Sequence, residues 1–297
     1  MIMKLSDKRL KRFFDLVIDG NFESLGKIGN SYVNQFTYIS DLKYLPELIK
    51  NPNISCVIST KELISSIPEG LGLVISKNPT ESFFELHNYL AEETNFYWKD
   101  FKSKIGKSSV IHPTAFVADR NVRIGEKCII GPNVSIMENT IIEDEVVVRA
   151  GTVLGTEGFE FRKIGKKIMN VVHAGGVLIH DRVQIQANCC ISKGIFGTFT
   201  EIGEDTKLDN LVHIAHNVKI GKRTFFPAGI TVSGTVEIGD DVWIGVGSTI
   251  VNGVKIGNNS IISIGAVVTN NVPENSHVSG NFAINHKKFI KFIKSIR

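Results

Sequence analysis

Two histidines, His213 and His216, sit three residues apart in the stretch DNLVHIAHNVKIG, residues 209–221. On one turn of helix such a pair could share a metal ion; on any other backbone they serve different ends. A neutral imidazole titrates near neutrality and, as a general base, contributes about 10²- to 10⁴-fold to a proton-removing step. The cysteines, Cys56, Cys128 and the adjacent Cys189 and Cys190, have neither CxxC spacing nor a disulfide framework, and read as buried thiols.

The backbone around the histidines follows a beat of six. From Ile105 one aliphatic residue is followed by five mostly small or polar ones: IGKSSV, IHPTAF, VADRNV and, after a slip, IGEKCI, IGPNVS, IMENTI, IEDEVV, VRAGTV and LGTEGF. The beat resumes at Ile179 and runs from Ile202 to Val268. Neither an amphipathic helix nor a simple alternating strand has this period. It is the signature of a parallel β-helix, in which three beats make one coil and the aliphatic residue points inward. Ile214, Val232, Ile250 and Val268 should then form one inward column, and the Gly and Asn at second and third positions of the beats should occupy tight or left-handed corners.

Hexad phase separates the histidines. His213 closes the beat LDNLVH and His216 is third in IAHNVK, so their side chains should diverge and no metal site is expected. One coil on from His216 comes Gly234, and one coil further Asn252. A glycine beside an outward-facing imidazole should leave open backbone and space for a ligand. That arrangement suits acyl transfer to an amine: His216 takes the amine proton and the Gly234 N–H receives the oxyanion of the tetrahedral intermediate. His213 would be an auxiliary in the cleft. The opposing reading is that His216 only caps a corner by hydrogen bonding.

The phase breaks over residues 155–176 and near 196–201, which should be loops outside the coil. Residues 1–104 lack the beat and read as a small α/β domain, with strands at ISCVIS and LGLVIS, helical patterns at LKYLPELIK and SFFELHNYLAEE, and a Ser82 to Glu85 capping box. Residues 105–275 form the β-helix. Residues 276–297 carry a basic amphipathic helix, with Phe289, Phe292, Ile293 and Ile296 on one face flanked by Lys287, Lys288, Lys291, Lys294 and Arg297. Its apolar face could pack on the protein itself, or meet an acidic carrier protein or a membrane surface. The fold class is thus mainly β, a parallel β-helix with an α/β domain before it and a short helix after. A formal charge of +4 over 297 residues does not imply nucleic acid, and Asp15 interrupts the first apolar run, so neither signal peptide nor membrane span is expected and the cytoplasm is the expected location.

FTYISDLKYL, GTVLGTEGFEF, HAGGVLIHDRVQI and DNLVHIAHNVKIG together resemble the UDP-3-O-(3-hydroxyacyl)glucosamine N-acyltransferase family of lipid A synthesis, within the hexapeptide acyltransferases. The resemblance implies a left-handed coil, a homotrimer with sites between prisms, and His216 as base. It implies no permanently bound cofactor, with the acyl thioester of an acyl carrier protein or coenzyme A as co-substrate. It further implies that Tyr38 and Tyr44 sandwich the uracil of a nucleotide-linked amino sugar, with Asp41 in place of the usual asparagine. Phe159, Phe161, His213 and Asn252 complete the substrate-binding set. The family carries a second histidine downstream of the base, and this chain has none between His216 and His277. An acyl-CoA-dependent N-acyltransferase for a dTDP- or UDP-linked dideoxyaminosugar of surface polysaccharides is therefore the alternative.

Overall fold

The computed structural model describes residues 1–280 and 285–296, so Arg297 of the basic tail lies outside the described residues. By its contacts the chain forms two units: residues 1–101, 157–176 and 193–198 in one, and residues 102–156, 177–192 and 199–297 in the other.

The second unit is a three-faced prism whose short strands stack coil on coil into three parallel sheets of eight, eight and nine strands among the described residues. Ile214 pairs with Val232, Val232 with Ile250 and Ile250 with Val268, the column expected from the hexad. The parallel columns Ile202–Ile220–Ile238–Ile256 and Leu208–Phe226 line the other faces, and all these side chains are buried. The fifth residue of the beat joins the first in the core, as Val212, Val218, Ile230, Val236, Val242 and Val254 show, and burying each such side chain contributes on the order of 2 kcal/mol.

The corners differ from expectation. The left-handed residue is the fourth of most beats: every sixth residue from Lys127 to Gly151 and from Asp205 to Gly265 has φ between 54° and 75°. Glycine at the second position serves another need. A Cβ on Gly203 would lie 2.5 Å from the Gly221 backbone, and one on Gly221 would lie 2.5 Å from that of Gly239. Stacked coils approach too closely there for any side chain. Fourth positions without glycine carry a cost, largest for β-branched Thr235 at φ 60°. Its N–H donates to the His216 carbonyl at 2.9 Å, which helps hold it there.

The first unit is a five-stranded sheet, ordered Asp15–Ile18, Gly72–Ile75, Ile54–Ser59, Gln35–Tyr38 and Ser24–Leu25, with its first strand antiparallel. Helices Leu45–Lys50 and Pro79–Glu92 accompany it. The second helix does not start at a Ser82 to Glu85 box. Asn78 caps it, accepting from the Glu81 N–H at 3.3 Å, with Pro79 in the first turn, while buried Ser82 bonds Ser76. Pro79 favours that earlier start because its fixed φ suits a first turn.

The two phase breaks, expected as loops at 155–176 and 196–201, depart over 157–176 and 193–198 and group with the first unit. Their apolar residues explain this. Val171, Ile195 and Phe196 are buried with Phe36, Phe83 and Phe84 in one core, and Phe196 lies 5.8 Å from the Phe83 ring. His87 ties the longer segment down: its Nε2–H donates to the Val172 carbonyl at 2.7 Å, and Nδ1 accepts from the Tyr97 hydroxyl at 2.7 Å. At the chain's end His277–Val278 still pairs with the prism, and the tail helix spans His286–Ser295, shorter than residues 276–297. No described helix is long and apolar enough to cross a membrane.

Burial pulls the His87 pKa down to about 4. An unfolded chain takes up this proton near pH 6.5, so stability is full above that value and falls as pH drops toward 4, by on the order of 3 kcal/mol. Denaturant titrations at pH 7 and pH 5 should show this loss in the wild type, and His87→Gln should lose less over the same interval.

Candidate functional site

In the prism, His213–Ile214 is a two-residue strand with Ile214 inward and His213 half-buried on the outer face, opposite Cys190 and Thr231. Burial lowers the His213 pKa, favouring the neutral ring. Two residues on, the chain turns the corner. Asn217 adopts φ 60° there, and its N–H donates to the Thr200 hydroxyl at 2.9 Å.

His216, Gly234 and Asn252 do stand together in one column, but with a different use of the glycine. A Cβ at Gly234 would fall 2.5 Å from His216 Cε1, 2.6 Å from its Nε2 and 3.0 Å from Asn252 Oδ1. The space left by the missing side chain is filled by the imidazole itself. His216 is accordingly only 7% exposed, where an outward-facing ring was expected. The glycine is a bed for the ring and not a gap for a ligand.

Asn217 is a partner that residue spacing did not reveal. Its Oδ1 lies 3.2 Å from His216 Nδ1, and a carboxamide oxygen only accepts, so the proton sits on Nδ1 and Nε2 is the basic nitrogen. That nitrogen points toward Gly234, whose N–H makes no hydrogen bond among the described residues. A base and a main-chain donor thus lie side by side. The one signal in the sequence was the residue type, since asparagine suits a left-handed corner such as the one Asn217 occupies. Among the described residues no three His, Cys, Asp or Glu side chains come together as metal ligands would.

In the first unit, Tyr38 and Tyr44 line one cavity of about 310 Å³ with Lys27, Ile28, Gly29, Ser40, Glu47 and Thr80. Tyr38 packs its ring 4.9 Å from Phe83, and Tyr44 is exposed. Asp41 is not in the lining. It caps the short helical turn Leu42–Tyr44, accepting from the Lys43 N–H at 2.9 Å and pairing with the Lys43 ammonium at 3.4 Å, and the Lys43 N–H holds its carboxyl below the usual range. The cavity draws on three separated segments, and nothing in the spacing of Lys27, Glu47 or Thr80 announces them. Phe159 and Phe161 stand edge to face at 4.9 Å in the same unit, on and beside the hairpin Phe161–Ile164 and Lys167–Asn170. Phe159 is 86% exposed.

The bacterial transferase hexapeptide family (six repeats) matches residues 121–156 and 235–270. A UDP-3-O-acylglucosamine N-acyltransferase of Anaeromyxobacter dehalogenans is 34% identical over 136 residues, 44% of this chain and 38% of that protein. One of Helicobacter pylori is 29% identical over 259 residues, 78% of this chain and 74% of that protein. Among solved structures, a UDP-N-acetylglucosamine acyltransferase from Campylobacter jejuni superposes with a TM-score of 0.54 over 65% of this chain and 79% of its own, at 21% identity. That likeness shows the fold.

A methyl group at residue 234 must push His216 or Asn252 aside. Gly234→Ala should therefore cost about 1–3 kcal/mol in a denaturant titration and shift the His216 ring resonances in an NMR spectrum. Unchanged His216 resonances would refute the bedding role of Gly234.

Proposed function

From the transferase hexapeptide repeats matched at residues 121–156 and 235–270 and the likeness to curated N-acyltransferases, we propose that the chain transfers an acyl group from a thioester to the amine of a nucleotide-linked amino sugar, as those relatives' name describes for a UDP-linked glucosamine. The observation that carries this reading is the corner at His216. A basic Nε2 lies beside a main-chain N–H that makes no hydrogen bond among the described residues, and aminolysis of a thioester uses such a pair.

In the proposed step the amine attacks the thioester carbonyl and a C–N bond forms. His216 Nε2 accepts the amine proton, and the Gly234 N–H donates to the oxyanion. Collapse breaks the C–S bond and expels the thiolate, to which His216 returns the proton, giving the free thiol. Asn217 holds the Nδ1–H throughout, so the ring delivers the same nitrogen each time. Asn252 and His213 flank the acyl and sugar groups. No permanently bound cofactor is needed, the thioester being a co-substrate.

Nucleotide recognition is assigned to the cavity of Tyr38 and Tyr44, whose rings suit offset stacking on a pyrimidine. Phe159 and Phe161 offer apolar contact to the acyl or sugar portion. Asp41 acts by capping the turn that carries Tyr44. A homotrimer is supported by the outward column Phe225, Trp243 and Ile261, each 43–48% exposed on one prism face. The tail helix, with Phe289 and Phe292 exposed among lysines, suits an acidic acyl carrier protein as donor; a membrane surface is the other partner of that chemistry. We place the reaction in the cytoplasm.

UDP- and dTDP-amino sugars should be crossed with acetyl-CoA, 3-hydroxyacyl-CoA and long-chain 3-hydroxyacyl carrier protein. An amide product from a UDP-amino sugar and a 3-hydroxyacyl carrier protein is expected; turnover only with acetyl-CoA and a dideoxyaminosugar would favour the alternative, and an ester product would refute the N-acyl assignment. His216→Ala should lower kcat about 10²- to 10⁴-fold, and normal turnover would remove it as the base.

A further inference from the structure

The stacking rings of the nucleotide cavity do not sense the charge of a diphosphate. Among the described residues Lys27 and Glu47 are the charged ones of its lining, so Lys27 is the one cation among them. Its main chain is fixed: the N–H donates to Asn30 Oδ1 at 2.8 Å, and the carbonyl accepts from Gln35 Nε2, on a fully buried side chain, at 2.9 Å. The ammonium pairs with Glu160 at 3.3 Å. Glu160 also pairs with Arg162, whose guanidinium lies 4.6 Å over the Phe84 ring and whose buried Nε lacks a hydrogen-bond partner among the described residues. Two cations thus share one carboxylate, and that carboxylate is only 13% exposed.

Resting on the nucleotide-sugar reading above, we propose that Lys27 is the residue that recognises the diphosphate, and that Glu160 is the internal partner a phosphate oxygen replaces. A phosphate oxygen carries the same charge as a carboxylate oxygen and takes a similar charge-assisted bond from an ammonium. When the nucleotide enters, Lys27 exchanges Glu160 for phosphate. Arg162 keeps Glu160 paired, so no buried charge is stranded. Glu160 also holds the flexible lysine stem near its bound position, reducing the ordering that binding would otherwise require.

The test is calorimetric titration of the full chain with UDP and with uridine. Wild type should prefer UDP by about 10- to 100-fold, the range of a charge-assisted bond. Lys27→Met should reduce that preference to about threefold or less while leaving uridine affinity unchanged, Lys27→Arg should restore part of it, and Glu160→Gln should bind UDP at least as tightly as wild type. An undiminished preference in Lys27→Met, or equal loss of both ligands, would overturn the proposal, as would weaker UDP binding by Glu160→Gln. If neither ligand binds the wild type, the nucleotide reading itself fails, a result distinct from each of these.

Discussion

Everything in the prism depends on the close approach of one coil to the next. Successive coils pair along all three faces, as Arg123 with Ile141, Ile129 with Val147 and Ser135 with Val153 show. The main chain must therefore return to the same place on every circuit. Inward residues then have to fill a fixed cross-section, second-position glycines have to do without a side chain, and fourth-position residues have to turn left-handed. Function inherits the same constraint: His216 lies where it does because Gly234, one circuit later, leaves room for its ring.

The parts of this structure governed by that repeat were legible in the residues. The column of Ile214, Val232, Ile250 and Val268 follows from period alone, since a misplaced aliphatic would leave a void in every coil. Corner chemistry was legible only in composition. Glycine and asparagine mark corners, but a period does not say which residue turns left-handed, and Leu211 and Thr235 at φ 63° and 60° carry no such mark. His216 and Gly234 could be aligned by counting, whereas the direction of the ring could not. Counting places Cα atoms and leaves χ angles undetermined.

Outside the repeat less could be read. Tyr38 and Tyr44 were found through a resemblance, and Lys27, Glu47 and Glu160 through neither period nor resemblance, because tertiary folding alone gathers residues 27–29, 38–47, 80 and 160. Charge complicated the reading of Asp41, an apparent ligand for a base that is already engaged with Lys43. Short acidic residues before a helical turn are preferred caps, and that local role competes with any longer-range one.

The division of the chain into units also has a consequence for synthesis. The core of the first unit includes Phe196, a residue nearly 100 positions beyond the end of its main segment at residue 101. A nascent chain that has emerged only through that first segment lacks Val171, Ile195 and Phe196, and leaves Phe83 and Phe84 without partners they have in the finished core. The early coils of the prism must leave the ribosome before those residues do. The first part of the protein to be made is thus completed only after much of the second, and the order of translation is not the order in which the two units close.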